Sequence, residues 1–126
     1  MKRVLDIGNC APDHSAVRRL IEGNFAGVQV VQAHGADDAL AAIKLSDSRP
    51  FDLILVNRKL DRDYTDGLDV IKQLQADPVA KRVPVIMLTN HAEYQAAAVA
   101  AGAEPGFGKN QYEQPETLAI LRRFIS

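Results

Sequence analysis

The side chains in this sequence that could do chemistry sit just beyond short apolar runs. Asn57 closes the run Phe51-Asp52-Leu53-Ile54-Leu55-Val56, and Gly8, Asn9 and Cys10 follow Val4-Leu5-Asp6-Ile7. Thr89 and Asn90 follow the run 83–88, and Lys109 follows Gly106-Phe107-Gly108. An aspartate at position 57 would accept a phosphoryl group, because a carboxylate supplies the attacking oxygen and part of the charge that holds magnesium. A carboxamide does neither. The set is therefore amides, a thiol, a hydroxyl and an ammonium, with no carboxylate among them.

The elements that must position these residues alternate along the chain. Val4 to Ile7, Val28 to Ala33, Leu53 to Val56 and Val83 to Leu88 read as strands, with Gly106-Phe107-Gly108 as a short, weak fifth. Between them lie helices: one with Val17, Leu20, Ile21 and Phe25 on a face and Pro12 at its start, and one carrying Ala36, Ala39, Leu40 and Ile43. A third opens at Gly67, carries Leu68, Ile71 and Leu74 and ends at Asp77-Pro78. A fourth spans about Glu93 to Ala101 with Gly102 as its cap, and a last one begins at Pro115. Five βα units in series predict an α/β fold of flavodoxin-like (βα)5 type, a five-stranded parallel sheet in the order 2-1-3-4-5 between helical layers. In such sheets ligands and chemistry gather at the C-terminal strand ends, and every residue named above falls there.

With those residues in place, the chain resembles the receiver domain of bacterial response regulators over nearly its whole length. The segment VPVIMLTNHAEYQAAAVAAGAEPGFGK carries most of the likeness, and FDLILVNRKL with DGLDVIKQL matches the acceptor strand and the helix after it. The resemblance implies that Thr89 and Lys109 stand where a hydroxyl and a lysine contact the phosphoryl group. It also implies departures. The acidic pair that holds magnesium falls on Gly8-Asn9 or on Asn9-Cys10, depending on the end from which one counts. The acceptor position holds Asn57, the loop from Asn57 to Gly67 is longer than usual, and Gly106 takes the place of the fifth strand's aromatic, with Phe107 next. Neutral amides hold a hard cation poorly, and phosphoryl transfer depends on that cation. Losing all of these carboxylates together reads as a natural loss, not as one engineered substitution.

The expected function is thus a phosphorylation-independent, receiver-like domain spanning 1–126, part of two-component signalling, non-enzymatic and without a cofactor. It would dock a signalling protein or a second copy through the last two helices and the fifth strand, with Phe107, Ile120 and Phe124 as the candidate face. The alternative for Ile120 and Phe124 is that they cover the fifth strand's edge. Lys109 is expected to hydrogen-bond the Asn57 amide oxygen and close the empty site. Asp6 is either a relocated site acid, a buried carboxylate paired locally with a group such as Lys109, or a group exposed through distortion. Asp61, Asp63 and Asp66 in the long loop read as solvated charges more than as substitute acceptors. Cys10 precedes a helix N-terminus, where a thiol can become reactive, and a small core thiol is the plainer reading. His14, His34 and His91 have no metal-site spacing; His91 reads as a residue of the site rim or, more plainly, as surface decoration.

Two other functions stay in view: an active receiver using a relocated acid, and a flavin- or nucleotide-binding protein on the same fold. The latter needs a phosphate cradle after the first strand, where Gly8 to Pro12 offers one glycine and Pro12 removes an N–H. Lys and Arg number 15 against 16 Asp and Glu, so no positive excess favours nucleic acid or an anionic membrane. No apolar run approaches the ~20 residues that span a bilayer, and a lone cysteine suits a reducing cytoplasm.

Overall fold

Short runs of β-branched and aliphatic residues form strands here because each is covered from both sides. β1 (Lys2–Ile7), β3 (Leu53–Asn57) and β4 (Val85–Leu88) carry nearly continuous buried residues, as strands inside a parallel sheet must. β2 (Val28–Ala33) alternates buried Val28, Val30 and Ala33 with exposed Gln29 and Gln32, the pattern of an edge strand. The structure is a computed structural model, and it describes residues 2–45 and 51–126. All pairings are parallel, in the order β2-β1-β3-β4, with Asp6 beside Gln32 and Leu55 and with Asn57 beside Leu88.

Five helices cover the sheet: α1 (Ala11–Glu22), α2 (Ala36–Leu45), α3 (Gly67–Ala76), α4 (Ala92–Ala100) and α5 (Pro115–Ile125). One core joins Ala39, Ile43, Val70, Ile71, Leu74 and Ala98 to the face of Ile54, Val56 and Met87. The other joins Val17, Ile21, Leu121 and Ile125 to Val4, Leu53, Leu55, Ile86 and Leu88. Each fully buried Leu or Ile contributes about 1.5–3 kcal/mol, so α1, α3 and α5 are held by their apolar faces. α4 differs. Ala98 is its sole fully buried residue, Val99 is exposed, and Gln95 binds it to the sheet by side-chain hydrogen bonds.

The expected fifth strand is corrected. Among the described residues the sheet has four strands, and residues 104–108 follow β4 without forming a regular ladder. Glu104 makes an isolated bridge to Ile86, and Glu104 N–H donates to Val85 O. The next backbone bond, Thr89 N–H to Phe107 O, lies one residue out of step. The physical reason is the extra residue read in the sequence as a displaced aromatic. The chain bulges at Gly106, and the bulge brings the Phe107 ring back into the core beside Tyr112.

Gly67 is forced by geometry, because a Cβ there would stand 2.2 Å from Asn57 O and 3.1 Å from Val56 Cγ1. Gly67→Ala should therefore lower stability by about 1–3 kcal/mol in urea titration, against the small gain an exposed helix would show. Unchanged or raised stability would mean that the end of β3 yields freely.

Candidate functional site

The site forms where β1, β3 and β4 end. Gly8 leaves β1 with φ 85°, and a Cβ there would lie 2.5 Å from Leu60 Cγ, so no side chain fits unless Leu60 moves. Leu60 itself is buried, in the long loop between β3 and α3. That loop is tied to β1 by Asp61 N–H donating to Gly8 O at 2.9 Å. Asn57 completes the tie: its Nδ2 donates to Lys59 O at 2.8 Å and to Gly8 O at 3.3 Å. A carboxylate, which only accepts, would meet two carbonyl oxygens in the same place.

Lys109 does not reach Asn57. The expected bond is overturned: Lys109 Nζ pairs with Asp13 Oδ2 at 2.6 Å, in the first turn of α1. The physical reason is charge, since a nearby carboxylate binds an ammonium more strongly than a neutral amide does. The pair holds Asp13 below the ordinary carboxylate range, and the Cys10 thiol adds a bond to the same carboxylate. Cys10 is half-buried at the N-cap position of α1.

Asp6 is fully buried and is not paired with Lys109 as one reading had it. Its carboxylate accepts from Asn9 Nδ2 at 2.6 Å and lies 2.7 Å from His14 Nδ1. Burial pushes its pKa up, and the His14 and Asn9 contacts act against that rise. His14, for which the sequence reading offers only the lack of metal-site spacing, is thus the residue that reading missed. The signal was present: His14 precedes Val17 by three and Ile21 by seven, so it shares the buried face of α1. Asn9 is also buried, and Gln32 donates to its backbone oxygen. Beside this cluster, burial raises the Tyr112 phenol, helped by the charges of Asp6 and Asp13.

Thr89 is buried at the end of β4, where its Oγ1 accepts from His91 N–H. Asn90 Oδ1 accepts from Asn110 N–H and packs where a Cβ on Gly108 would fall. In the long loop, Asp66 Oδ1 caps α3 through Leu68 N–H and Asp63 Oδ1 accepts from Thr65 N–H. Both carboxylates are held within the loop. The candidate docking residues divide. Phe107 is 2% exposed and therefore unavailable to a partner, which corrects its place on the face, while Ile120 and Phe124 lie half-buried against the α5-side core. No group of three or more His, Cys, Asp or Glu side chains is arranged to hold a metal among the described residues. No helix among them is long and apolar enough to cross a membrane.

The model of the response regulator receiver domain family matches residues 10–119. Chemotaxis protein CheY-3 of Vibrio cholerae is 29% identical over 111 residues, covering 87% of this chain and 81% of that protein. Chemotaxis protein CheY of Pseudomonas aeruginosa is 28% identical over 114 residues, covering 90% and 87%. Among solved structures, a putative response regulator from Chloroflexus aurantiacus superposes with a TM-score of 0.79 at 21% identity, covering 97% of this chain and 95% of that one. Vibrio cholerae chemotaxis protein CheY4 gives 0.73 at 24% identity, covering 98% of both chains.

Asp6 and Asp13 should set opposite pH dependences. Burial raises Asp6 above its ordinary 3.8, so its contribution to stability is full below 3.8 and is lost as pH rises through its folded value. Lys109 lowers Asp13 from 3.8, so its contribution is present above 3.8 and is lost as pH falls through its folded value. In denaturant titrations from about pH 3 to about pH 8, Asp6→Asn should gain on the unmodified protein as pH rises, and Asp13→Asn should fall behind it. Parallel profiles for the two variants would contradict these assignments.

Proposed function

Because the chain belongs to the response regulator receiver domain family, we propose that it is a receiver-like domain of two-component signalling that works by protein contact, with no phosphoryl group on residue 57. Receiver domains are signalling proteins and not enzymes, and they act through signalling partners. The reading treats 1–126 as one domain. The observation that carries it is the Asn57 carboxamide, which donates to Gly8 O and Lys59 O and so uses hydrogens that an acceptor aspartate would lack.

The magnesium ion that the family implies does not fit the residues present. Leu60 fills the space that a side chain at position 8 would need. Asn9 is a neutral amide already bonded to Asp6, and Asp6 is shared between Asn9 and His14. Asp13, on the first turn of α1, is taken by Lys109. These facts support a site closed by its own side chains, with Gly8, Asn9, Cys10, Asn57, Thr89 and Lys109 marking its former positions. Phosphoryl transfer without the cation lacks its main source of charge neutralisation. The occupied carboxylates of Asp6, Asp13, Asp63 and Asp66 weigh against a relocated acid, and the exposed Asp61 is the remaining loop candidate. After strand β1, Gly8 to Pro12 offer a single glycine and lose an N–H at Pro12, which weighs against the phosphate cradle that a flavin or nucleotide would need. The partner surface proposed is α4, residues 104–106 and α5, with Ile120 and Phe124 at its rim. Its occupant is a signalling protein or a second copy.

Incubation with magnesium and acetyl phosphate, followed by mass mapping, should give no phosphoryl adduct at the sheet edge. Any adduct mapping to these positions would sink the proposal. Asn57→Asp alone should also remain unmodified. It should lose about 1–3 kcal/mol of stability, because its carboxylate would replace a donor between two carbonyls. Phosphoryl uptake at residue 57 of that variant would show that the other substitutions do not matter.

A further inference from the structure

The Gln95 side chain bonds the segment beside β4 at the point where its ladder breaks. Continuing the ladder from the Ile86–Glu104 bridge would have Gly106 N–H donate to Met87 O and Thr89 N–H donate to Gly106 O. Neither bond is made. Gly106 N–H donates to Gln95 Oε1 at 3.0 Å, Gln95 Nε2 donates to Met87 O at 2.8 Å, and Thr89 N–H donates to Phe107 O at 3.2 Å. The Gln95 carboxamide from α4 thus lies between the two partners of the missing rung and satisfies both. A Cβ on Gly106 would stand 2.2 Å from Ile86 Cγ2, so the glycine is needed for this approach.

We propose that residues 104–109 have two registers on β4, one residue apart, and that Gln95 is the latch that selects the bulged one. Without the latch, Gly106 pairs directly with Met87. A one-residue slip turns successive side chains to the other face of a sheet. Phe107 would then leave the core it shares with Ile86, Leu88 and Tyr112 and point to the face that α4 covers. The same slip moves Lys109 by about 3.3 Å along the strand, enough to part it from Asp13. One carboxamide on α4 therefore links the position of that helix, the burial of Phe107 and the Lys109–Asp13 pair. A partner that draws α4 outward releases the latch, giving the domain a second state without phosphoryl chemistry. That consequence rests on the receiver reading, whereas the two registers are a property of the sheet itself.

The test is NMR detection of couplings across backbone hydrogen bonds in the full chain. The unmodified protein should show the Thr89-to-Phe107 coupling and contact between the Phe107 and Tyr112 rings. In Gln95→Ala both should be lost, and Gly106-to-Met87 and Thr89-to-Gly106 couplings should take their place. Retention of the Thr89-to-Phe107 coupling, or loss of all these couplings through fraying, would overturn the proposal. Deleting Gly106 guards against a variant that does not fold, since it removes the extra residue. With Gly106 deleted, Gln95→Ala should leave the Thr89-to-Phe107 coupling intact, and continued dependence on Gln95 would also overturn the latch. No phosphodonor enters these measurements, so a phosphorylated site would refute the proposed function and leave the register result standing.

Discussion

Two backbone carbonyls, those of Gly8 and Lys59, point at the side chain that ends β3, and that corner requires a donor. The carboxamide of Asn57 supplies it. The bond to Lys59 O holds the start of the β3–α3 loop, the bond to Gly8 O joins the end of β3 to β1, and Asp61 N–H ties the loop to the same Gly8 oxygen. Once tied, the loop places Leu60 against Gly8, whose left-handed backbone leaves no room for a side chain. Closing the loop here also brings the Arg58 carbonyl to Gly67 N–H, where α3 starts. The Asn57 donor at the sheet edge thus acts together with the Asp61 and Gly67 N–H groups to place the loop, the apolar plug and the start of a helix.

The opposite side of the edge is settled by charge. Asp6 lies in the middle of a buried strand, where an unpaired carboxylate would be costly, and Asn9 and His14 surround it. His14 and Asp13 are neighbours on the first turn of α1, yet they serve different partners, Asp6 below and Lys109 across the edge. The helix start is therefore fixed both to β1 and to the chain that follows β4. Because burial raises one carboxylate and a lysine lowers the other, the two contacts respond to pH in opposite senses. The long-range pair joins residues 96 apart in sequence and ties the two ends of the fold together.

Most of the architecture was legible because it rests on local periodicity. The faces of α1, α2, α3 and α5, the buried runs of β1, β3 and β4, the helix start at Pro12 and the left-handed Gly102 just past α4 all follow from residue order within a few turns. The fifth strand was not legible, because its fate depends on Gln95, which lies on a helix 11 residues from Gly106 in sequence. The displaced aromatic was visible, but not that a bulge would return it to the core. At the site, the loss of carboxylates could be read directly. The partners of Lys109 and Asp6 could not, since each choice depends on which first-turn side chains of α1 face inward.

A two-state domain needs some element whose positions differ little in free energy, and some contact that distinguishes them. In a receiver that takes a phosphoryl group, the new charge provides that contact. Here most of the edge is occupied by its own amides and ion pairs, with Asn9 Oδ1 left buried and unpartnered, so the bistable element is expected where burial is weakest. α1, α3 and α5 each drive several large aliphatic side chains into a core, and moving any of them would expose that surface. α4 fully buries only Ala98, with Tyr94 partly buried, and Gln95 is the side chain that bonds it to the sheet. A polar latch is easier to release than an apolar face, because water can replace hydrogen bonds but not packing. The same inventory that closes the site thus leaves α4 as the part of this fold best able to move.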